Sequence, residues 1–514
     1  MKIVMCASEV VPFAKTGGLA DVAGALPLAL EEIGVEVIIA MPRYKVIQNA
    51  KFSTTKCGGL SDHNGERGGS VKFAKKSPQS LGDPPRHYGG ISESANAFGG
   101  NSGGKIQKLE EDIFYSIIGK NVRVYFIENK KYFNRDGLYG DKNGDYKDNL
   151  DRFSYYSKRT LELLKEINFK PDIIHVHDWQ ASLIPVYLKI LYTNDAFYKN
   201  IKTILTIHNI GYQGLFAKEE FPKLRLDWSL FNMEMLEFYG KINILKGGIV
   251  FSDIINTVSP TYSQEIQTKE FGFGLEGILD KRRESVFGIL NGLDYSIWNP
   301  ETDRFIAKNY SPKEIDIKYK NKADLQKICK LPVKRDVPLF GIVSRLAEQK
   351  GFDILADAIK SICKMNLQLV ILGTGDLKYH LLLEKMAKRY PKVISVVLRF
   401  DDPLAHKIYA GSDVFLMPSK YEPCGLGQMI SLRYGTIPLV FKTGGLADTV
   451  TEDNGFVFDN YTKVDLIKTI KKARQAFKNK NKWGGLIEKA MQCNFSWEES
   501  AKKYFCLYEK ARAQ

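Results

Sequence analysis

Residues 419–450 read SKYEPCGLGQMISLRYGTIPLVFKTGGLADTV. One carboxylate, Glu422, is followed at once by Pro423-Cys424-Gly425-Leu426-Gly427. A short apolar run, Ile437–Phe441, comes next, and then Lys442-Thr443-Gly444-Gly445. The pattern predicts a loop that opens a helix, a short buried strand and a second glycine turn. Small residues after Glu422 let backbone N–H groups approach a ligand closely. A helix start there aims its positive end at an anion or at sugar hydroxyls. Taken alone, the stretch fits an ordinary loop–helix–loop of an α/β domain equally well.

The stretch has a partner. Lys15-Thr16-Gly17-Gly18-Leu19-Ala20-Asp21 near the N-terminus reads KTGGLAD, and residues 442–448 repeat it letter for letter. Two copies suggest two related halves, each turning a glycine loop toward one cleft. Around the first copy the chain reads strand (Lys2–Ser8), glycine loop, helix (Leu19–Ile33, with Gly34 as C-cap), strand (Glu36–Met41). This is a parallel α/β unit with its ligand at the helix N-terminus. It is not GxGxxG, so no dinucleotide is implied. Further strands are expected at Val122–Glu128, Asp172–Val176 and Ile204–Ile207, with Ile254–Val258 closing the first sheet and Ser259-Pro260 capping a helix. A second half begins near Gly288, with Asn291-Gly292 as a turn and Trp298–Asp303 as a rigid connector. Its strands are expected at Pro338–Val343, Leu367–Leu372, Val393–Phe400 and Val414–Met417.

The bulk numbers agree with two globular domains. A chain of 514 residues exceeds what one core supports, and 44% hydrophobic with 26% charged residues is a globular balance. The net charge of +15 comes from lysines spread along the chain, with no arginine-rich block, so nucleic acid is not an expected partner. Seven scattered cysteines without CxxC spacing indicate neither a disulfide framework nor a zinc site, and they fit a reducing, cytoplasmic compartment. The opening MKIVMCASEVVPF is broken by Glu9 and reads as a first strand, not a signal peptide or a membrane span. Residues 51–105 differ in kind: rich in Gly, Ser and Pro, they cannot bury enough apolar surface to offset ordering entropy. They read as a disordered surface insert or a locally corrupted reading frame.

Several polar residues fall at predicted strand ends, where open parallel sheets place ligands. His175-Val176-His177-Asp178-Trp179 ends one strand, and His208 in HNIGYQG follows another. The H-x-H pair lacks a third ligand nearby, so no metal is expected. Trp179 is either a sugar-stacking face or a core tryptophan, and His208 either a site group or a structural one. Arg345 and Lys350, in SRLAEQKG after Pro338–Val343, are two cations where a diphosphate could lie, or a solvated basic loop. Lys15 is open to the same two readings.

Together these motifs resemble the bacterial glycogen synthases and plant-type starch synthases over the whole chain except residues 51–105. The resemblance implies an α/β fold of the GT-B class, with two Rossmann-like domains facing across a deep cleft. The division would be 1–285, 286–485 and a helical segment, 486–514, returning to the first domain, with a hinge near 286–300. It also implies transfer of glucose from ADP-glucose to an α-1,4-glucan (glycogen or starch) with retention, without a cofactor. The family's catalytic glutamate falls on Glu422, its histidine on His208, its loop lysine on Lys15 and its phosphate-binding cations on Arg345 and Lys350. Glu9, Gly18, Asp21, Tyr139, Asp178, Trp179 and Asn291 would surround glucose and acceptor. Cys424, Gly425 and Leu426 would offer backbone groups to the sugar, Thr443 would lie by the distal phosphate, and Phe400 would face adenine. The competing readings are a UDP-glucose enzyme such as a sucrose-phosphate synthase and an inactive glucan-binding relative. From composition alone, limited proteolysis is expected to cut first within residues 51–105; survival of that segment intact while other loops are nicked would refute the insert reading.

Overall fold

A computed structural model describes residues 1–49 and 104–514. The insert reading of 51–105 therefore lies almost wholly outside the described residues. The chain builds two sheets. In the first, parallel strands run in the order Val286–Gly288, Ile254–Thr257, Lys202–Ile207, Ile173–His177, Lys2–Cys6, Glu36–Pro42, Val122–Ile127. Two antiparallel strands, Ile113–Ile118 and Gln107–Lys108, extend its far edge. The second sheet is wholly parallel: Ile394–Val397, Gln368–Leu372, Leu339–Val343, Val414–Met417, Ile437–Phe441, Phe456–Phe458.

The strands form where the sequence offers short continuous apolar runs. Ile173–His177 and Ile3–Cys6 are buried on both faces, as parallel strands covered by helices must be. The helix Gly18–Glu32 follows the first glycine pair and buries Leu19, Val22, Ala23, Leu26 and Leu30 at helical spacing. Gly34 ends that turn at φ +85°.

Numbering the parallel strands along the chain, each sheet contains the order 3-2-1-4-5-6. The order reverses beside Lys2–Cys6 in the first sheet and beside Leu339–Val343 in the second. Loops leaving neighbouring strands at such a reversal run in opposite directions and leave a crevice between them. Those loops carry Glu9–Gly18 and Asp178-Trp179 on one side, and Arg345–Lys350 and Ser419–Leu426 on the other. The topology thus collects the candidate residues before any side chain is considered.

Two expectations are corrected. Ile254–Thr257 does not close the first sheet, because Val286–Gly288 pairs alongside it and carries the sheet past residue 285. Asn291-Gly292 is not a turn but part of an extended crossing segment. Gly292 is needed there because a Cβ would lie 2.6 Å from the Trp497 backbone. The final helix, Trp497–Ala513, packs on the first sheet: Tyr508 Oη lies 2.9 Å from His175 Nδ1, and Asn256 Nδ2 donates to Tyr504 Oη at 3.1 Å.

One buried carboxylate fixes the reversal in the second sheet. Asp413 Oδ2 accepts from Leu339 N at 2.7 Å, and Asp413 N donates to Leu339 O at 2.8 Å, so the two strands start in step. Lys322 Nζ neutralises Asp413 at 2.7 Å, with both side chains almost fully buried, 2% and 6% exposed. Removing one partner leaves the other charged and dry. Asp413→Ala is expected to destabilise the protein by about 3–5 kcal/mol, read as a lower urea midpoint; a change under about 1 kcal/mol would show the pair is replaceable by solvent.

Candidate active site

The second-domain reversal point opens into a cavity of about 220 Å³, lined among others by Ser344, Arg345, Lys350, Ser419, Glu422, Gly425 and Leu426. Lys350 Nζ donates to Glu422 Oε2 at 2.6 Å, and Ser419 Oγ donates to the same oxygen at 3.0 Å. Glu422 is 5% exposed. Arg345 is exposed and forms no ion pair with a described residue. The cavity wall thus carries a free guanidinium, an ammonium held by a carboxylate, and a glycine-lined backbone turn. Such a site can hold a dianion against the cations while a sugar lies over Gly425 and Leu426.

The local fold explains how the two loops stay together. Gly351, at φ +78°, lies so close to Pro418 that a Cβ would sit 2.0 Å from the Pro418 carbonyl oxygen. Lys420 N donates to Gln349 O at 2.9 Å. The cation loop and the glutamate loop are therefore joined through their backbones. Gly425, at φ +71°, would place a Cβ 2.6 Å from Gln428 Oε1, and Gln428 Nε2 holds the carbonyls of Cys424 and Gly425 at 3.0 and 2.9 Å. That leaves the turn's N–H groups, not its carbonyls, for a ligand.

The second KTGGLAD copy supports this turn from behind. Gly445 N donates to Glu422 O at 3.1 Å, and a Cβ on Gly444 or Gly445 would lie 2.0 Å from the carbonyl oxygen of Glu422 or Cys424. Thr443 is buried, and its Oγ1 donates to Glu265 Oε1 of the first domain at 2.9 Å, as does Gly444 N at 3.0 Å. Asp448 accepts from Ser259 Oγ, Thr261 N and Thr261 Oγ1 at 2.5–3.2 Å, capping the first-domain helix Pro260–Glu265 from across the cleft.

The first copy is arranged differently. Glu9 accepts from Thr16 N, from Thr16 Oγ1 at 2.6 Å and from Gly17 N at 3.2 Å, and Tyr139 Oη adds a bond at 2.6 Å. Glu9 is thereby a loop holder, and Tyr139 its clamp. A Cβ on Gly17 or Gly18 would meet nothing within 4 Å, so this turn is open where the second is packed. Lys15 Nζ donates to Asp21 Oδ1 at 2.7 Å, with both side chains about one-third exposed. At the neighbouring strand end Asp178, at φ +53°, accepts the His208 backbone N–H at 2.7 Å. Burial raises the Asp178 carboxyl to about 7. Burial also lowers His208 to about 3, so its ring is neutral near pH 7.

The two faces meet at an aromatic contact: Phe273 of the first domain lies 5.9 Å, edge to face, from Tyr421 beside Glu422. Trp179 is half-buried between Phe153, Phe216 and the Gly214 backbone, with part of its ring left exposed. Asn291 is buried and its Oδ1 lacks a partner among the described residues. Cys424 is buried behind the turn, and Phe400 is 66% exposed. His175 and His177 engage Tyr508, Thr206 and His208, and no cluster of metal-ligating side chains occurs among the described residues. Sequence reading missed Ser419, Gln428, Glu265 and Asp448 as supports. Ser419 and Gln428 were within sight as polar residues flanking EPCGLG; Glu265 and Asp448 act across the cleft, which no local pattern reports.

Comparison with known proteins agrees with this geometry. A family profile described as "Starch synthase catalytic domain" matches residues 2–281, and one described as "Glycosyl transferases group 1" matches residues 326–485. A glycogen synthase of Geotalea uraniireducens is 46% identical over 522 residues, covering 100% of this chain and 99% of the relative. That of Thermotoga maritima is 43% identical over 523 residues, again covering 100% and 99%. Among solved structures, the catalytic domain of starch synthase IV from Arabidopsis thaliana, bound to ADP and acarbose, is 32% identical with a TM-score of 0.79, covering 100% of this chain and 99% of that one. A sucrose-phosphate synthase from Thermosynechococcus elongatus shares the fold alone, at 15% identity and a TM-score of 0.58. With two Rossmann-like domains of the GT-B type and full-length relatives at this level of identity, the chain belongs to the glycogen and starch synthase family.

Proposed function

We propose that this chain transfers glucose from ADP-glucose to the non-reducing end of an α-1,4-glucan, with retention at the anomeric carbon. The observation that carries the reading is that Arg345, Lys350 and Glu422, far apart in sequence, line one cavity at the reversal point of the second sheet. The ADP bound by the Arabidopsis relative supports an adenine nucleotide. The described cysteines are all free, which fits a reducing cytoplasm.

The residues assign the steps. Arg345 and Lys350 neutralise the diphosphate as its bond to the sugar C1 breaks. Lys350 is already aimed into the cavity by Glu422, so little reorganisation precedes binding. Glu422 then faces the sugar, where positive charge develops at C1. A double displacement needs a nucleophilic carboxylate on the face of C1 opposite the leaving diphosphate. Glu422 is the one carboxylate among the described residues lining the cavity, and its bond to Lys350 keeps it on the diphosphate side, which favours front-side attack assisted by the leaving phosphate. The acceptor 4-hydroxyl attacks from the face that the diphosphate leaves. It passes its proton to the departing phosphate oxygen, so the charges balance without a separate base. Neutral His208 orients the sugar by hydrogen bonding.

Glu422→Ala is expected to lower kcat by about 10²–10³-fold. A variant within about threefold of wild type would remove Glu422 from the chemistry. Lys350→Ala should mainly raise KM for ADP-glucose, by about tenfold or more; unchanged donor KM would free Lys350 from phosphate binding. With glycogen as primer, nucleotide release is expected from ADP-glucose well above UDP-glucose. Preference for UDP-glucose would move the chain to the neighbouring donor class. Glycogen binding without turnover would mark an inactive glucan binder.

A further inference from the structure

His177 ends the strand Ile173–His177, next to Asp178, yet nothing above gives it a task in the reaction. It is fully buried. Its Nδ1 lies 3.0 Å from Nε2 of His208, and its own Nε2 is buried with no hydrogen-bond partner among the described residues. His208 Nδ1 is in a different position. It makes no hydrogen bond to a described residue and is not among the buried unpaired atoms, and His208 as a residue is only partly buried, so this nitrogen is not sealed off at the strand end.

These contacts decide where the protons sit. A neutral imidazole carries one N–H and one lone pair, so one member of the 3.0 Å contact donates and the other accepts. If His208 Nε2 donated, His177 would accept at Nδ1 and carry its own proton on Nε2. That proton would be a buried donor without an acceptor, the rarest kind of unpaired polar group. In the opposite arrangement His177 donates from Nδ1 and its Nε2 keeps only a bare lone pair. His208 then accepts at Nε2, and its proton must reside on Nδ1. We infer that His177 is a positioning residue that fixes His208 as the Nδ1–H tautomer, presenting a hydrogen-bond donor to the cleft. Such a donor recognises a sugar hydroxyl oxygen or a phosphate oxygen, and it cannot serve as a base.

The arrangement is held from behind. The His177 ring lies against that of His175, with centroids 4.3 Å apart. His175 is fixed at both nitrogens, by Tyr508 Oη at 2.9 Å and Thr206 Oγ1 at 2.7 Å. Tyr508 belongs to the final helix, so the end of the chain braces the imidazole that braces His208. Burial keeps His175 and His177 neutral, which keeps the donor–acceptor order unambiguous near pH 7.

The inference rests on His208 being part of the proposed site, but its test does not depend on turnover. Full-length protein labelled with ¹⁵N at histidine should show, in long-range ¹H–¹⁵N correlation spectra, His208 protonated at Nδ1 and bare at Nε2. The reverse pattern overturns the inference, whether or not the protein elongates glucan. In kinetics, His177→Leu is expected to lower kcat about tenfold or more, with KM for ADP-glucose and glycogen changed less than about twofold. His177→Asn, whose amide can donate from nearly the position of Nδ1, is expected to restore at least about fivefold over the leucine variant. Equal loss in both variants, or no loss in the leucine variant, also overturns it. The wild-type spectrum keeps the test open if the leucine variant fails to fold.

Discussion

The site depends on one part-buried contact, the Lys350 ammonium against the Glu422 carboxylate at 2.6 Å. Neither charge would rest there alone, because desolvation disfavours an isolated ion by far more than a surface position does. Their pairing holds two loops from different strands at a fixed separation, and Ser419 engages the same carboxylate oxygen. The backbone makes the contact possible. Asp413 sets the two strands in step at one end, and the Gly351–Pro418 and Lys420–Gln349 contacts join the loops at the other. The ion pair is a consequence of strand order before it is a feature of chemistry.

The repeated heptapeptide shows how one local pattern serves two purposes. In both copies a glutamate accepts from the threonine hydroxyl and from the N–H of the first glycine: Glu9 for Thr16 and Gly17, Glu265 for Thr443 and Gly444. Glu9 comes from the same domain, and its turn stays open beyond the glycines. Glu265 comes from the other domain, and its turn packs against the carbonyls of Glu422 and Cys424. The final aspartate diverges likewise. Asp21 pairs with Lys15 of its own loop, whereas Asp448 caps a helix across the cleft. The same seven letters build an open turn once and a brace between domains the second time.

Much of this was legible in the sequence because the relevant signals are local. Continuous apolar runs give buried parallel strands, and glycines followed by helical spacing give turns at their ends; both are read within about ten residues. Glu422, Arg345 and Lys350 could be placed at strand ends on that basis, and the resemblance assigned their roles. What stayed hidden depends on contacts distant in sequence. Val286–Gly288 is three residues long and has strand character only through its neighbour Ile254–Thr257. Asn291-Gly292 carries the letters of a turn, yet its glycine answers to the approach of Trp497. The spacing of His175 and His177 does not report that His175 bonds Thr206 of a neighbouring strand and Tyr508 of the last helix, or that His177 Nδ1 meets His208.

The chain crosses between the domains twice, and the crossings are bonded to each other. Leu293 N donates to Phe495 O at 2.7 Å, Ser500 Oγ to Leu290 O at 2.8 Å, and Phe495 N to Tyr295 Oη at 2.8 Å. Two separate linkers would let the domains slide and twist as well as open. Two linkers joined side by side make one connection in place of two independent ones. The contacts of Asp448 and Glu265 join the domains at a second place. Any rotation that opened the cleft would have to break these carboxylate contacts.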